Sequence, residues 1–448
     1  MSSDAGHAAR CARLGAAFAA GGGAPLGLAK TTSNLFRDRR AAPKRRLDLG
    51  EFDHVLGIDR AAGTVDVEGL TTYEALVAAT LLHGVMPAVV PQLKTITVGG
   101  AAAGVAIEAT SYRAGLVHHT MRELEVLLPG GDIVLCTPGN EHADLFHGFP
   151  NSYGTLGYAL RLVLVTQPVQ PFVRVVHERH ADAASFFAAL AARCADARVD
   201  FVDGVAFDAG CFVLNSAAFA SDAPWTSDYG YERIYWRSLL EREVDWLRSA
   251  DYLWRWDTDW FWCSRNFGAD RPWMRRLLGR QRLNSRTYTK LMRLNARWGL
   301  TRRWARLRGV HTESVIQDVD IPLHRAAEFL DFLLREIGIV PVWICPLREP
   351  GPGQAFPLYP LDGAALYVNF GFWDVVESRV AHEAGHYNRQ VEREVARLGG
   401  IKSLYSDSFY TPEEFAEAYR LPAYESLKAR YDPGHRLLGL YEKCVLRA

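Results

Sequence analysis

All twelve tryptophans of this 448-residue chain fall at position 225 or later. The residues before about 168 are instead rich in Gly, Ala, Val and Thr. A chain this long exceeds one simple core, and such a break in composition marks where one unit gives way to another. We expect two or three domains: residues 1–168, residues 169–395, and an aromatic-rich tail at 396–448 that packs back on the first.

Short β-like runs fill the first unit: Val65–Glu68, Met86–Val90, Glu123–Leu128, Asp132–Cys136 and Leu160–Val165. Between them Thr72–His83 carries Leu76, Ala79 and Leu82 at helical spacing. In the second unit Val173–Val176, Phe212–Leu214, Val340–Cys345 and Ala365–Phe370 read as strands. Ala183–Cys194, Arg233–Ser249 and His324–Ile337 read as helices. Both units are expected to be α+β. In Asp251–Cys263 aromatics and acids alternate, which predicts a strand with Trp254, Trp256, Trp260 and Trp262 on one face. Arg255, Asp257, Asp259 and Phe261 would share the other.

Lys plus Arg and Asp plus Glu number 51 each, so bulk charge attracts neither nucleic acid nor membrane. Seven scattered cysteines without a CxxC pair fit free thiols and a cytoplasmic location. No run of eighteen apolar residues exists to span a bilayer, and Met1–Gly23 lacks the apolar centre of a signal peptide. One stretch departs from this neutrality. Between Arg271 and Thr312 stand thirteen Arg/Lys and no acid, interleaved with Trp273, Leu277, Leu291, Leu294 and Trp298. Such a basic amphipathic segment suits peripheral contact with anionic headgroups on the inner membrane face, residues 271–308 being the contact. A solvated helix pair answering acids elsewhere is the alternative. Oligomeric state has no signature.

Three segments suit a nucleotide. Leu28–Phe36 places Lys30, Thr31, Thr32, Ser33 and Asn34 in one loop, a cation with four hydroxyl or amide side chains that could meet a diphosphate. Pro91–Gly100 ends in Thr97-Val-Gly-Gly100, with Gly104 and Gly115 beyond; paired glycines admit close backbone approach. Asn151–Gly157 offers Gly154, Thr155 and Gly157 ahead of a strand. Each alone also suits a plain turn or helix cap. Neither GxGxxG after a strand nor GxxxxGK[ST] occurs.

Taken together, in this order, these segments resemble the vanillyl-alcohol-oxidase-type (PCMH-type) FAD-binding domain. That family binds FAD between two α+β subdomains beneath an α+β cap, the substrate domain. Val315–Pro322, Val342–Pro346, Leu366–Gly371 and Leu404–Tyr410 resemble the cap and tail of the 24-dehydrocholesterol reductases. LAKTTSNLFR, VVPQLKTITVGGA and FPNSYGTLGY resemble the flavoprotein reductases that turn 10-methylene fatty acyl chains into 10-methyl ones. The resemblance implies noncovalent FAD, held by Lys30, Thr31, Thr32, Ser33, Asn34, Thr97, Gly99, Gly100, Gly104, Ser111, Arg113, Gly115, Gly154, Thr155 and Gly157. The first loop lacks the histidine that attaches flavin covalently in many members. NADPH as electron donor and a lipid alkene as substrate follow from the same resemblance. A sterol reductase and an alcohol or sugar oxidase of the same fold are the alternatives.

Reducing an isolated alkene needs hydride and a proton. The acid is sought in the tryptophan-rich stretch: Asp257 or Asp259, with Arg255 as partner. Tyr367 is a further candidate, and Asn369, Tyr405 and Tyr410 follow. A salt-bridged face behind an aromatic core is the competing reading. His382-Glu-Ala-Gly-His386 matches HExxH and, on a helix, would suit a zinc hydrolase with Glu383 as base. No third ligand is evident, so we assign no metal.

Overall fold

The structure, a computed structural model, describes residues 3–19, 25–30, 36–37, 44–298, 305, 307–351 and 356–447. Thr31, Thr32, Ser33 and Asn34 of the expected diphosphate loop lie outside the described residues, as do residues 299–304 and 306 of the basic stretch.

Strands β1 (Leu26–Ala29) and β2 (Arg45–Asp48) form a parallel pair. Strands β3 (Val55–Asp59), β4 (Thr64–Glu68), β5 (Val85–Pro87), β6 (Met121–Leu127), β7 (Ile133–Cys136) and β8 (Tyr158–Pro168) form an antiparallel sheet. Its order is β3-β4-β8-β6-β7, with β5 also on β8. On β8 the alternation places Leu160, Leu162 and Leu164 in the core and turns Arg161 toward Asp66, 2.6 Å away. The N-terminal helix Ser3–Ala19 is pinned by His7, which meets Glu68 at 2.7 Å and Glu125 at 2.6 Å.

The second sheet holds β9 (Phe172–His180), β10 (Phe201–Asp208), β11 (Cys211–Ala220), β12 (Val244–Arg248), β13 (His311–Pro322), β14 (Val342–Leu347), β15 (Tyr367–Ser378) and β16 (Ile401–Lys402). The order is β12-β9-β11-β10-β14-β15-β13-β16. Helices Ala183–Ala195, Leu323–Phe332 and His386–Arg397 cover one face. Val315, Val319, Val342, Ile344, Phe370 and Phe372 meet them in a single apolar cluster. A period of two therefore sends Ser314, Ile316, Asp318 and Asp320 of β13 to the opposite face, with Trp343 of β14 and Asn369 and Trp373 of β15. After residue 396 the chain serves both units. β16 edges the second sheet, while Lys428 of helix Leu421–Tyr431 donates to the Thr155 carbonyl at 2.8 Å.

Two expected elements differ. Within Arg233–Arg248 only Tyr235–Ser238 is helical; Val244–Arg248 instead extends the sheet by pairing with β9. Asp251–Cys263 is not a strand. A helix at Ser249–Leu253 gives way to turns, closed by Asp257 N–H to Trp254 C=O at 3.0 Å and Trp260 N–H to Asp257 C=O at 3.1 Å. Trp260 and Phe261 take φ of 47° and 57°, which no strand allows. The two-faced pattern dissolves: Trp256 and Trp262 are buried, and so are Arg255, Asp257 and Asp259.

Candidate active site

Between the two sheets lies a cavity of about 1500 Å³. Pockets that hold one small ligand span roughly 300–1,000 Å³, so this one has room for a large cofactor and a second molecule. Its two ends differ in chemistry. Lys30, Arg37, Lys44, Arg46 and Lys443 line the end near β1 and β2. Trp260, Phe261, Trp343, Tyr359, Trp373 and Tyr405 line the end beneath the second sheet.

The cationic end is built on Thr97-Val-Gly-Gly100. Thr97 caps helix Val98–Ala103, its hydroxyl accepting from Gly100 N–H at 3.3 Å and from Lys30 Nζ at 2.8 Å. A Cβ on Gly99 would stand 2.9 Å from the Gly69 carbonyl and 3.0 Å from the Ala159 methyl, so the helix can seat on the sheet only without one. Thr97, Gly99, Gly100, Gly104, Gly154 and Gly157 line the cavity with Lys30. Four expected contacts do not. Ser111 Oγ accepts from Glu108 N–H at 3.1 Å and Thr155 Oγ1 donates to the Ser152 carbonyl at 2.8 Å; both are spent on local backbone. Arg113 is exposed, near Gln167 and Asp200, and Gly115 serves a tight turn at φ 72°.

The expected acids are also placed elsewhere. Asp257 accepts from Lys94 N–H at 3.0 Å and from the Ser285 hydroxyl, tying the turn to two other segments. Asp259 pairs with Arg275. Tyr367 accepts from Asp362 N–H at 3.1 Å, and Tyr410 is buried away from the cavity. Arg255 stands directly behind a cavity residue: it donates to Asp203 at 2.7 Å and to Glu108 at 3.3 Å. Of the sequence-derived polar candidates on the cap side, Asn369 and Tyr405 reach the cavity itself.

The acids that do face the cavity were not singled out as an acid pair by the sequence. Asp318 and Asp320 stand two apart on β13, whose neighbour β15 contributes Asn369 and Trp373. Asp320 is fully engaged, accepting from Tyr359 Oη at 2.6 Å and Asn369 Nδ2 at 2.7 Å. Burial pushes its carboxyl up to about 6 against those bonds. Asp318 goes further, to about 8: burial dominates, hydrogen bonding from Tyr405 and Trp373 opposes it, and Asp320 adds to it. Its Oδ1 has no partner, and Trp373 Nε1 donates to Tyr405 Oη at 2.7 Å beside it. Across the cavity, burial raises Glu108 to about 7 despite Arg255. A carboxyl protonated at neutral pH on the wall of such a cavity can give a proton to a bound molecule. Acid–x–acid within a strand of alternating apolar residues was the available signal.

The HEAGH match does not form the zinc arrangement. The helix begins at His386, capped by Gly385, so His382 precedes it rather than sharing its face. The two imidazoles stack 4.0 Å apart at the surface. Glu392 on that helix is committed to Lys402 at 3.0 Å.

Residues 10–137 match the model of an FAD binding domain. The chain is 26% identical over 444 residues to a Delta(24)-sterol reductase of Arabidopsis thaliana, covering 91% of this chain and 77% of that one. It is 27% identical over 408 residues to a Delta(24)-sterol reductase of Homo sapiens, covering 87% and 75%. Cytokinin dehydrogenase 6 of Oryza sativa subsp. japonica matches at 30% over 171 residues, 37% of this chain and 32% of that one. The cavity suits such a cofactor: cations and side-chain-free glycines line one end, aromatic rings the other. Gln92 and Asn369 line the wall as well.

Proposed function

Because the chain is an FAD-dependent oxidoreductase with a PCMH-type cofactor domain, we propose that it reduces a carbon–carbon double bond in a lipid. The substrate we assign is a 10-methylene fatty acyl chain, reduced to 10-methyl, with NADPH as electron donor. The observation that carries this reading is Asp318, a carboxyl that burial holds protonated at neutral pH and that lines an aromatic chamber. FAD, when bound, supplies the two-electron carrier between donor and alkene.

An isolated alkene has no carbonyl to hold negative charge, so protonation must lead. Asp318 gives its proton to the terminal methylene carbon, forming one C–H bond. The positive charge then rests on the tertiary carbon, which accepts hydride to form the second. Asp318, left as a carboxylate, regains its proton from solvent. The rings of Phe261, Trp343 and Trp373, packed together on the cavity wall, stabilise a cation in this chamber as water cannot. The same aromatic wall excludes water that would trap it. Lys30, which lines the cavity beside Thr97, would meet the cofactor's diphosphate.

Anaerobic stopped-flow absorbance tests the reading. NADPH should bleach the bound flavin, and a 10-methylene-stearoyl lipid should restore its colour while a saturated lipid does not. Rapid recovery in air with no response to either lipid would make the protein an oxidase. A sterol substrate is the second reading, favoured by the names of the relatives above; a 24-unsaturated sterol is therefore the third arm.

A further inference from the structure

We propose that the described part of the basic stretch, residues 271–298 with Leu307, is a docking face for an anionic lipid bilayer, and that it holds the cap end of the cavity against that bilayer. The helix Ser285–Trp298 has two chemically distinct sides. Ser285, Tyr288 and Met292 point inward, and Met292 lines the cavity. Arg286, Lys290, Leu291 and Leu294 share the outer side at helical spacing and are exposed. On the preceding helix, Pro272–Leu278, Trp273 and Leu277 are 57% and 69% exposed. With Leu291, Leu294 and Leu307, these make five of the twelve exposed large apolar side chains among the described residues.

Charge selects the occupant. Arg280 and Arg286 are answered by Asp228 and Glu74, but Arg271, Arg276, Arg282 and Lys290 are exposed with no ion-pair partner among the described residues. Exposed Trp and Leu among unanswered cations match the boundary between headgroups and acyl chains. The lining of the cavity reaches this segment: Met292 and Ala305 belong to it, together with the exposed Ser314 and Val375.

The binding step does not depend on the lipid-reductase reading, so the two can fail separately. Purified holoprotein is sedimented with vesicles of pure phosphatidylcholine or of phosphatidylcholine with phosphatidylglycerol, at low and high salt. We expect binding only to the anionic vesicles, weakened by salt. The triple variant R276E/R282E/K290E should lose affinity by about tenfold or more. The double variant W273S/L277S should bind weakly while keeping its flavin absorbance and its turnover of detergent-dispersed substrate. Equal binding to both vesicle types, or variants that bind like the parent, would overturn the proposal. So would gel filtration showing a dimer that W273S/L277S splits, since the face would then join two copies. Capture of single-stranded nucleic acid in preference to anionic vesicles counts against it equally.

Discussion

Asp318 and Asp320 are separated by one residue, yet their surroundings give them different work. Asp320 has both oxygens bonded and acts as a brace between β13, β15 and Tyr359. Asp318 lines the cavity, and its Oδ1 is buried without a partner. Asp318→Asn, which has no carboxyl proton to give, should lower the rate of alkene-dependent flavin reoxidation by about 10²–10⁴-fold. Reduction by the electron donor should be nearly unchanged. The raised pKa also sets a pH dependence: the proton is present below about 8 and lost above it, so the reoxidation rate falls as pH rises through that value. Stability moves oppositely to a salt-bridged carboxylate. Between the unfolded pKa near 3.8 and the folded one near 8 only the unfolded chain releases this proton, so stability falls across that window and the Asn variant should melt no lower than the parent at neutral pH. His7 is the mirror case. Burial opposes its charge, but bonding to Cys11, Glu125 and Glu68 outweighs it and raises the imidazole to about 11. That stabilisation is complete below 6.5 and erodes as pH climbs toward 11. His7→Gln should cost about 2 kcal/mol in urea unfolding under mildly acidic conditions, and less in alkali.

At the scale of elements, what decides the site is the pairing of strands. Gly99 lies against the Gly69 carbonyl and the Ala159 methyl, both on fixed backbone. Gly99→Ala should therefore destabilise by about 1–3 kcal/mol and lower the flavin-to-protein absorbance ratio. That glycine and Thr97 were legible in the sequence because their chemistry is local: a cap, a close approach, a loop cation at Lys30. Asp257 and Asp259 misled for the opposite reason. Their partners are Ser285, the Lys94 amide and Arg275, contributed by segments the local pattern does not contain. An alternation of aromatics and acids reads as a strand until Trp260 and Phe261 turn the chain through positive φ. Asp318 is not legible as the cavity acid even though Val315–Pro322, the bulk of β13, resembles the reductase family. Nothing within Gln317–Asp320 says which face meets the cavity; that is fixed by helices covering the other side of the sheet. Helix His386–Arg397 shows the same limit, since its first residue falls four positions too late for the zinc motif.

At the scale of the molecule, the two sheets face one another across a single chamber, and the C-terminal segment ties them together through β16 and Lys428. A cofactor spanning that chamber binds the folded protein and not the unfolded one. Adding FAD to stripped protein at a hundred times its dissociation constant should thus raise unfolding free energy by about 2.7 kcal/mol, read as a shift in the thermal melt. The chamber has a kinetic corollary. Its cofactor-side glycines and the Asp318 wall open on the same space. The nicotinamide donor and the lipid of the proposed reaction would both need that space and so would take turns. Double-reciprocal plots at several donor concentrations should then run parallel rather than converge, and each substrate in excess should inhibit the other's half-reaction. The shape of one cavity would in this way write a ping-pong rate law.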